Sequence, residues 1–297
     1  MDGSALLNPG SAGSHGGARV ACRSLTSGYG STPVLKDISF SIDEPAVYVV
    51  LGPNGAGKTT LFRTMAGILK PMRGEVTIAG ESIESQRSRD QMHYLSHMDG
   101  IPDGLEVKEA LEFYAAVEGA TSADVDRVLD LLDLRGLSGQ FLSQLSAGQK
   151  KRVSVARIFL KERDIYLLDE PTANLDPKLA REIRALILEL SKEKIVLYSS
   201  HNLFEAREIG RYVLAIRAGQ LALFDRLESL RGVRFVVGVR VLAPTDALAA
   251  FTRQGDYYLR ELHGPEEVPA LIRDLEAKGV QIREVREMEN PLEDLFT

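Results

Sequence analysis

The 297-residue sequence contains one cysteine, Cys22, and no tryptophan. A single cysteine excludes an internal disulfide framework and any metal site built from several cysteines, and it favours a reducing compartment. An excess of basic residues is also lacking, because 36 Lys and Arg stand against 42 Asp and Glu for a net charge of −6. The overall charge therefore gives no reason to expect a nucleic-acid partner.

Long hydrophobic runs are lacking as well. The most apolar stretches, residues 47–51 and 153–160, are much shorter than the roughly 20 residues that a transmembrane helix needs. Residues 1–18 are rich in glycine and serine, with neither a basic start nor a long apolar centre, so we predict a disordered tail rather than a signal peptide. The composition, 44% hydrophobic and 26% charged, is that of a globular protein.

From residue 19 onward, short β-branched runs alternate with segments of helical periodicity. Strands are predicted at residues 34–42, 46–51, 75–78, 165–168, 195–198 and 212–216. Leu179, Ile183 and Ile187 share one face of a helix that Asp176 is predicted to cap, with Pro177 at its first position. This alternation predicts an α/β fold, a mainly parallel sheet with helices on both faces.

Two regions depart from the alternation. Residues 99–160 show helical patterns with almost no strand signal, which predicts a helical subdomain inserted into an α/β domain at residues 19–231. Residues 232–297 predict a small C-terminal α+β accessory domain. Its strands are expected at 233–241, 257–262 and 280–285, and its helices at 245–253 and 266–278.

Residues 52–59 match the complete phosphate-loop pattern G-x-x-x-x-G-K-[ST], between a predicted strand and a predicted helix. Gly55 and Gly57 let backbone N–H groups turn toward phosphate oxygens, and the helix N-terminus adds partial positive charge. Lys58 supplies a cation for the β/γ-phosphates, and Thr59 offers a hydroxyl to Mg²⁺. The residues expected to hold the nucleotide here are Gly52, Pro53, Asn54, Gly55, Ala56, Gly57, Lys58, Thr59 and Thr60.

The apolar run at 165–168 ends in two acids, Asp169 and Glu170. In a phosphate-loop protein an acid at such a strand end holds Mg²⁺, and we assign that role to Asp169. Glu170 is then the candidate general base, which polarises a water for in-line attack on the γ-phosphorus. The competing interpretation is a strand-to-turn transition with two solvated acids, and the complete phosphate loop argues against it.

Three further motifs stand along the chain, one before the Asp-Glu pair and two after it. Leu-Ser-Ala-Gly-Gln at 145–149 opens a predicted helix, Ala-Asn-Leu-Asp ends at Asp176, and Ser-Ser-His ends at His201. Together with the phosphate loop and the Asp-Glu pair, they resemble the ATP-binding-cassette (ABC) family over about residues 19–230. The resemblance implies a P-loop NTPase core that binds ATP and Mg²⁺ and hydrolyses the ATP.

The resemblance also implies roles for single residues. Tyr29 looks like the aromatic residue that stacks on adenine, and His201 like the switch histidine that contacts the γ-phosphate and orients Glu170 or the attacking water. Family members form head-to-tail dimers in which one subunit's signature motif, here residues 145–149, meets the ATP of the other. A second cassette subunit, identical or related, is therefore implied. The residues assigned to that contact are Ser146, Ala147, Gly148, Gln149 and Asp176.

Two positions depart from the family pattern. Ala147 stands where glycine is usual, a minor change if that residue keeps helical dihedrals. His97 stands where the family places a glutamine that contacts Mg²⁺ and the membrane partner. Imidazole accepts only through an unprotonated nitrogen, so we expect His97 to line the site and to tune metal contact and coupling. The basic run at 150–152 is interpreted as a solvated helix face or a contact with ATP across the dimer.

The resemblance implies the ATP-hydrolysing subunit of a membrane transporter, cytoplasmic and held at the inner face of the cell membrane by a polytopic permease. The ending at 290–296 resembles cassette ATPases of the ABC-2 export type, so export is expected, and residues 100–120 are expected to receive the permease. Two other functions stay open. One is a soluble cassette ATPase that acts on ribosomes, DNA or cofactor assembly, and the other is a non-catalytic scaffold, against which the presence of Glu170 argues.

Overall fold

The computed structural model describes residues 19–96, 102–173, 175–232, 235–262 and 267–289. The chain forms two compact units, one that ends at Arg226 and one that begins at Leu227. Four predicted features lie outside the described residues: the tail at 1–18, His97, Asn174 in the loop before Asp176, and the ending at 290–296. In the described part of the chain, no helix is both long and apolar enough to cross a membrane.

The first unit alternates strands and helices over most of its length. In chain order its elements are β1 (Val20–Tyr29), β2 (Thr32–Ile42), β3 (Ala46–Leu51), α1 (Lys58–Met65), β4 (Arg73–Ile78), β5 (Glu81–Ser82), α2 (Gln86–Arg89), β6 (Met92–Leu95), α3 (Val107–Glu118), α4 (Ser122–Leu131), α5 (Ala147–Ile158), β7 (Ile165–Asp169), α6 (Pro177–Leu190), β8 (Ile195–Ser200), α7 (Leu203–Ile209), β9 (Tyr212–Arg217) and β10 (Gln220–Arg226). The six predicted strands are confirmed, whereas β1, β5, β6 and β10 were not predicted.

A six-stranded sheet in the order β10-β9-β3-β8-β7-β6 forms the centre of this unit. Its strands are parallel except β10, which pairs antiparallel with β9 at one edge. Every residue of β3 and β8 is buried, as expected for strands covered on both faces. The predicted α/β fold with a mainly parallel sheet is confirmed.

A second, antiparallel sheet in the order β2-β1-β4-β5 was not predicted. The pairing of β1 with β2 shifts register between Cys22 and Leu25 and at two later points, so β1 has no regular alternation of apolar and polar residues. Cys22 and Phe40 from this sheet pack in one hydrophobic core with residues of the parallel sheet. Cys22 is fully buried in β1, where it packs as a small residue of the core.

The described chain between residues 102 and 160 is helical, with α3, α4, α5 and two short 3-10 turns. Thr121 caps α4 and Ser146 caps α5, each through a reciprocal capping box with the third helical residue. Because α5 leads directly to β7, the helices bring the signature segment back to the parallel sheet. The predicted cap of α6 by Asp176 ahead of Pro177 is confirmed.

The second unit consists of β11 (Phe235–Val241), β12 (Thr252–Gln254), β13 (Tyr257–Leu262), α8 (Val268–Ala277) and β14 (Ile282–Glu289). Its sheet is antiparallel in the order β12-β13-β11-β14, and its own core contains Val237, Val239 and Leu275. The helix predicted at 245–253 is wrong. Only Asp246–Leu248 forms a 3-10 turn, and Thr252–Gln254 pairs with β13, because core packing and strand pairing override helix propensity there.

Candidate functional site

Three candidate segments follow strands that end at one edge of the parallel sheet. Leu51 of β3 pairs with Ser200 of β8, and Asp169 of β7 pairs with Ser199 of β8. Because β8 lies between β3 and β7, the carboxyl ends of these strands bring together the phosphate loop, the two acids and His201. Open parallel sheets bind their ligands at this edge.

The phosphate loop joins β3 to α1, and two of its glycines have left-handed backbones. The φ angle is 81° at Gly55 and 111° at Gly57, a region that residues with a Cβ rarely adopt. A Cβ at Gly57 would lie 2.6 Å from the Leu35 Cδ2 atom, whereas one at Gly55 would meet no atom within 4 Å. The loop therefore packs tightly against β2 on one side and leaves an open cradle on the other, next to the N-terminus of α1, which fits a phosphate group.

Lys58 lies under this loop with its side chain buried. Its ammonium group donates to the carbonyl oxygens of Gly52 at 2.7 Å and Pro53 at 3.2 Å. Burial lowers the pKa of Lys58, and the negative charges of Glu170 and Asp169 oppose that shift. This electrostatic coupling places the lysine and both acids in one site.

Ser199 holds the two acids in place. Its hydroxyl donates to Asp169 Oδ1 at 2.6 Å and accepts the backbone N–H of Glu170 at 2.9 Å. Glu170 has a φ of 49°, a strained conformation for a residue with a side chain, and the bond to Ser199 stabilises it. Sequence reasoning did not assign this role to Ser199. The available signal was a serine at the end of an apolar strand.

The environment of Asp169 and Thr59 fits a divalent cation. Asp169 Oδ2 is buried and has no hydrogen-bond partner in the described part of the chain. A buried carboxylate oxygen of this kind needs a donor or a metal to offset its desolvation. Thr59 stands in the first turn of α1 and is partly exposed, so its hydroxyl can supply a second oxygen. Carboxylate and hydroxyl oxygens are ligands that Mg²⁺ accepts.

His201 and Glu170 face each other across the strand ends. The His201 Nδ1 atom lies 3.1 Å from Glu170 Oε1, and the side chains are 57% and 16% exposed. An ionised carboxylate only accepts hydrogen bonds, so Nδ1 carries the hydrogen in this contact. The other ring nitrogen, Nε2, is then the atom that can reach a phosphate oxygen. The structure thus brings together the two residues that were predicted to be catalytic.

Tyr29, predicted to stack on adenine, stands at the end of β1. Its side chain is 45% exposed, and its hydroxyl accepts a hydrogen bond from Arg63 at 3.1 Å. An exposed ring with an anchored hydroxyl offers a flat surface on which a base can stack. The adenine contact itself remains a prediction.

The signature residues form the start of α5. Ser146 Oγ accepts the N–H of Gln149 at 3.2 Å, and Gln149 Oε1 accepts the N–H of Ser146 at 2.8 Å. The Gln149 side chain therefore caps the helix, and its expected contact with a nucleotide across a dimer remains a prediction. Ala147 is the first helical residue, so the helix accommodates the departure from glycine. The Ser146 hydroxyl accepts at its oxygen, and its hydrogen can donate to a further acceptor.

Asp176 caps α6 through its carboxylate, which accepts the N–H groups of Lys178 at 3.1 Å and Leu179 at 3.0 Å. The bond from the Leu179 N–H contributes most to holding the pKa of Asp176 below its usual range. A charged carboxylate at a helix N-terminus is stabilised by the helix dipole. Its expected contact with a nucleotide across a dimer remains a prediction.

The interpretation of the basic run at 150–152 as a solvated helix face is wrong. The Lys150 ammonium donates to Asp103 at 2.6 Å, Lys151 is buried, and Arg152 donates to the Asp133 carbonyl at 3.2 Å. These residues hold the helical region together rather than presenting a free cationic surface. His97 lies outside the described residues, so its role near the metal stays a prediction.

Comparisons with known proteins agree with this geometry. A protein-family model described as ABC transporter matches residues 35–173. The chain is 30% identical over 290 residues to the uncharacterized ABC transporter ATP-binding protein YhcH of Bacillus subtilis, a match that covers 92% of this chain and 93% of YhcH. It is 37% identical over 158 residues to the cytochrome c biogenesis ATP-binding export protein CcmA of Roseobacter denitrificans, covering 53% and 71%.

An import protein is also similar. The Fe(3+) ions import ATP-binding protein FbpC of Escherichia coli is 33% identical over 209 residues, which cover 68% of this chain and 60% of FbpC. Among solved structures, the ATP-binding subunit of an ABC transporter superposes with a TM-score of 0.67 at 26% identity, covering 72% of this chain and 92% of that one. The sequence and the fold therefore point to the same group of proteins.

Proposed function

Because the chain belongs to the family of ABC transporter ATP-binding proteins and is an ATPase, we propose that it powers a membrane exporter through ATP-driven dimerisation. The observation that carries the ATP-hydrolysis part of the proposal is the convergence of Lys58, Glu170 and His201 at one edge of the parallel sheet. A cation for the phosphates, a base and a second polar group lie within one site, which is the set that phosphoryl transfer to water needs.

In the proposed reaction, the water oxygen bonds to the γ-phosphorus as the bond to ADP breaks, and Glu170 accepts the proton that the water loses. His201 holds the Glu170 carboxylate at 3.1 Å. Glu170 is only 16% exposed, which limits the orientations its carboxylate can take. The second nitrogen of the His201 ring donates to a γ-phosphate oxygen when the ring carries both hydrogens. Thr59 and Asp169 would hold a Mg²⁺ ion, which would supply positive charge to offset the negative charge of the phosphates.

The dimer is proposed from the signature segment. Ser146 and Gly148 stand in the cap and first turn of α5, a helix of 12 residues whose N-terminus attracts anions. Ser146 is exposed, so its hydroxyl can reach the γ-phosphate bound to a second cassette. ATP then joins the two subunits, and its hydrolysis releases them. The second cassette is another copy of this chain or a related one.

The surface for the permease is proposed on α3. Phe113 and Val117 are four residues apart, which places them on one face, and they are 54% and 67% exposed. Phe141 is paired by an isolated β-bridge with Glu106 before the start of α3, and it is 43% exposed. Exposed apolar residues that cluster on one helix mark a protein interaction site. A permease bound here would hold the chain at the inner face of the cell membrane.

Export is the proposed direction. It is supported by the resemblance of the ending at 290–296 to cassette ATPases of the ABC-2 type, and by the similarity to CcmA, which is named an export protein. The match to the import protein FbpC covers 68% of this chain and 60% of FbpC, against 53% of this chain and 71% of CcmA, so the comparisons alone do not choose the direction. The match to YhcH extends over nearly the whole chain without naming a direction.

The α3 surface gives a direct test. A Phe113→Asp and Val117→Asp double variant is expected to lose co-purification with a polytopic membrane protein, while its ATP turnover in purified form stays within about twofold of the parent. Ile68→Asp is the matched control, because Ile68 is also exposed, at 61%, but lies outside the helical region. Retained membrane association in the double variant would contradict the α3 assignment. Recovery of the parent chain on ribosomes or DNA instead of membranes would overturn the transport function.

A further inference from the structure

Glu205, in the first turn of α7, lies at the centre of a buried polar network that no motif predicts. Its carboxylate accepts hydrogen bonds from the hydroxyl of Thr172 and, through Oε2 at 2.6 Å, from the hydroxyl of Ser200. The Arg184 guanidinium donates to Oε1 at 3.3 Å, and the two side chains of this ion pair are only 12% and 15% exposed. Each carboxylate oxygen therefore holds a hydroxyl from a different segment.

The hydrogen bonds of the network have a definite direction. Thr172 has one hydroxyl hydrogen, which it donates to Glu205, so it accepts from the Tyr198 hydroxyl at 2.6 Å. Ser200 donates its hydrogen to Glu205 and accepts the backbone N–H of Asn202 at 2.9 Å. A carboxylate that accepts from two buried hydroxyls and a guanidinium fixes the groups that donate to it more firmly than a neutral acceptor does.

The two segments that Glu205 joins are those of the proposed catalytic pair. Thr172 follows Glu170 by two positions, and Ser200 directly precedes His201. Glu205 thus holds one hydroxyl near each member of the pair, whose own contact joins His201 Nδ1 to Glu170 Oε1 at 3.1 Å.

We propose that Glu205 is a positioning residue for ATP hydrolysis, which holds the segments of Glu170 and His201 at hydrogen-bonding distance through Thr172 and Ser200. This inference rests on the proposed roles of Glu170 and His201. It assigns Glu205 no contact with ATP, so its loss should lower turnover without weakening nucleotide binding at the phosphate loop.

The first test compares two glutamates that pair with the same arginine. Glu205→Gln loses a charge and an acceptor inside the network, and its kcat is expected to fall about 10-fold or more, with KM and equilibrium ATP affinity within about twofold of the parent. Glu208→Gln is the matched control, because Glu208 also pairs with Arg184, at 3.0 Å, but is 47% exposed. The control is expected to keep parental turnover. Parental turnover in Glu205→Gln, or an equal loss in both variants, would overturn the proposal.

A pair of variants at Thr172 tests the positioning role of Glu205 even if Glu205→Gln does not fold. Thr172→Val keeps the shape of the side chain and removes its hydroxyl, whereas Thr172→Ser keeps the hydroxyl. We expect Thr172→Val to lower kcat several-fold at unchanged ATP affinity, and Thr172→Ser to restore turnover to within about twofold of the parent. Equal turnover in the two variants would show that the hydroxyl does not position the site.

A double variant separates positioning from a general loss of structure. In a Glu170→Gln background, adding Glu205→Gln is expected to lower turnover less than twofold further, because the group it positions is already removed. Independent, multiplicative losses would contradict the positioning role. If Glu170→Gln alone keeps normal turnover, the proposed base is wrong, and that outcome is distinct from a failure of Glu205.

Discussion

The hydroxyl of Ser199 determines how both acids of the site are oriented, since it donates to Asp169 and accepts from the Glu170 backbone. The sequence identifies Asp169 and Glu170 through their place at the end of an apolar strand and behind a complete phosphate loop. It does not identify the hydrogen bonds that orient them, because these cross from β7 to β8 and depend on strand register. Ser199 and Glu205 were missed for that reason, since Ser199 bonds to Asp169 and Glu170, and Glu205 to Thr172 and Arg184, all of which are distant in the sequence.

A prediction for a single residue concerns His93 and the pH dependence of stability. His93 is buried, and its Nε2 atom lies 2.6 Å from the Lys161 carbonyl oxygen. Burial lowers the pKa of His93 from 6.5, and the bond to Lys161 and the charge of Glu118 oppose the shift without cancelling it. The unfolded chain therefore takes up the proton first as pH falls, so His93 makes the folded state lose stability from pH 6.5 downward.

Replacing His93 should remove that pH dependence. His93→Gln is expected to show a free energy of unfolding that falls less steeply than the parent's between about pH 7 and pH 5. Urea denaturation at several pH values measures the two curves. The same measurements between about pH 7 and pH 8 are the control, where the curves should run parallel. Parallel curves over the whole range would rule out a titrating buried imidazole.

Among the elements, short β-branched and apolar runs predicted six strands correctly: β3, β7, β8 and β9 of the parallel sheet, and β2 and β4 of the antiparallel sheet. Neither β1 nor β6 was predicted. The register shifts of β1 remove its alternating pattern, and β6 contains only four residues. A helix was also predicted at 245–253, where a 3-10 turn at Asp246–Leu248 is followed by a strand, Thr252–Gln254, that pairs with β13. Local patterns fail where long-range pairing decides the structure.

The cap of α5 allows a prediction about the signature helix. Ser146→Ala removes the capping hydroxyl and the proposed donor to the γ-phosphate of a second cassette. We expect a loss of about 1 kcal/mol in the free energy of unfolding and a drop in ATP turnover of at least about 10-fold, with ATP affinity of the phosphate loop unchanged. Steady-state kinetics and equilibrium nucleotide binding on the same preparation measure these quantities.

Thr121→Ala is the matched control for that variant, because Thr121 caps α4 through the same type of capping box. It should lower the free energy of unfolding by about the same amount and leave turnover unchanged. If both cap variants lost turnover equally, the effect of Ser146 would be one of stability, and the proposed contact with a second cassette would be contradicted.

At the scale of the whole molecule, the chain combines a unit with the ATPase site and a second unit with its own hydrophobic core. All the proposed catalytic residues belong to the first unit. The match to YhcH covers 92% of the chain, whereas the match to CcmA covers 53%. The YhcH match therefore extends well beyond the part shared with CcmA.

The proposed function depends on Glu170, which acts as the base in ATP hydrolysis at a site where Lys58 binds the phosphates. The most direct test measures turnover and equilibrium ATP affinity of Glu170→Gln on one preparation. We expect turnover to fall by about 10²–10⁴ while ATP affinity stays near that of the parent, since the amide keeps the shape of the side chain but cannot act as a base. Near-normal turnover in this variant, or a loss of ATP binding equal to the loss of turnover, would contradict the account.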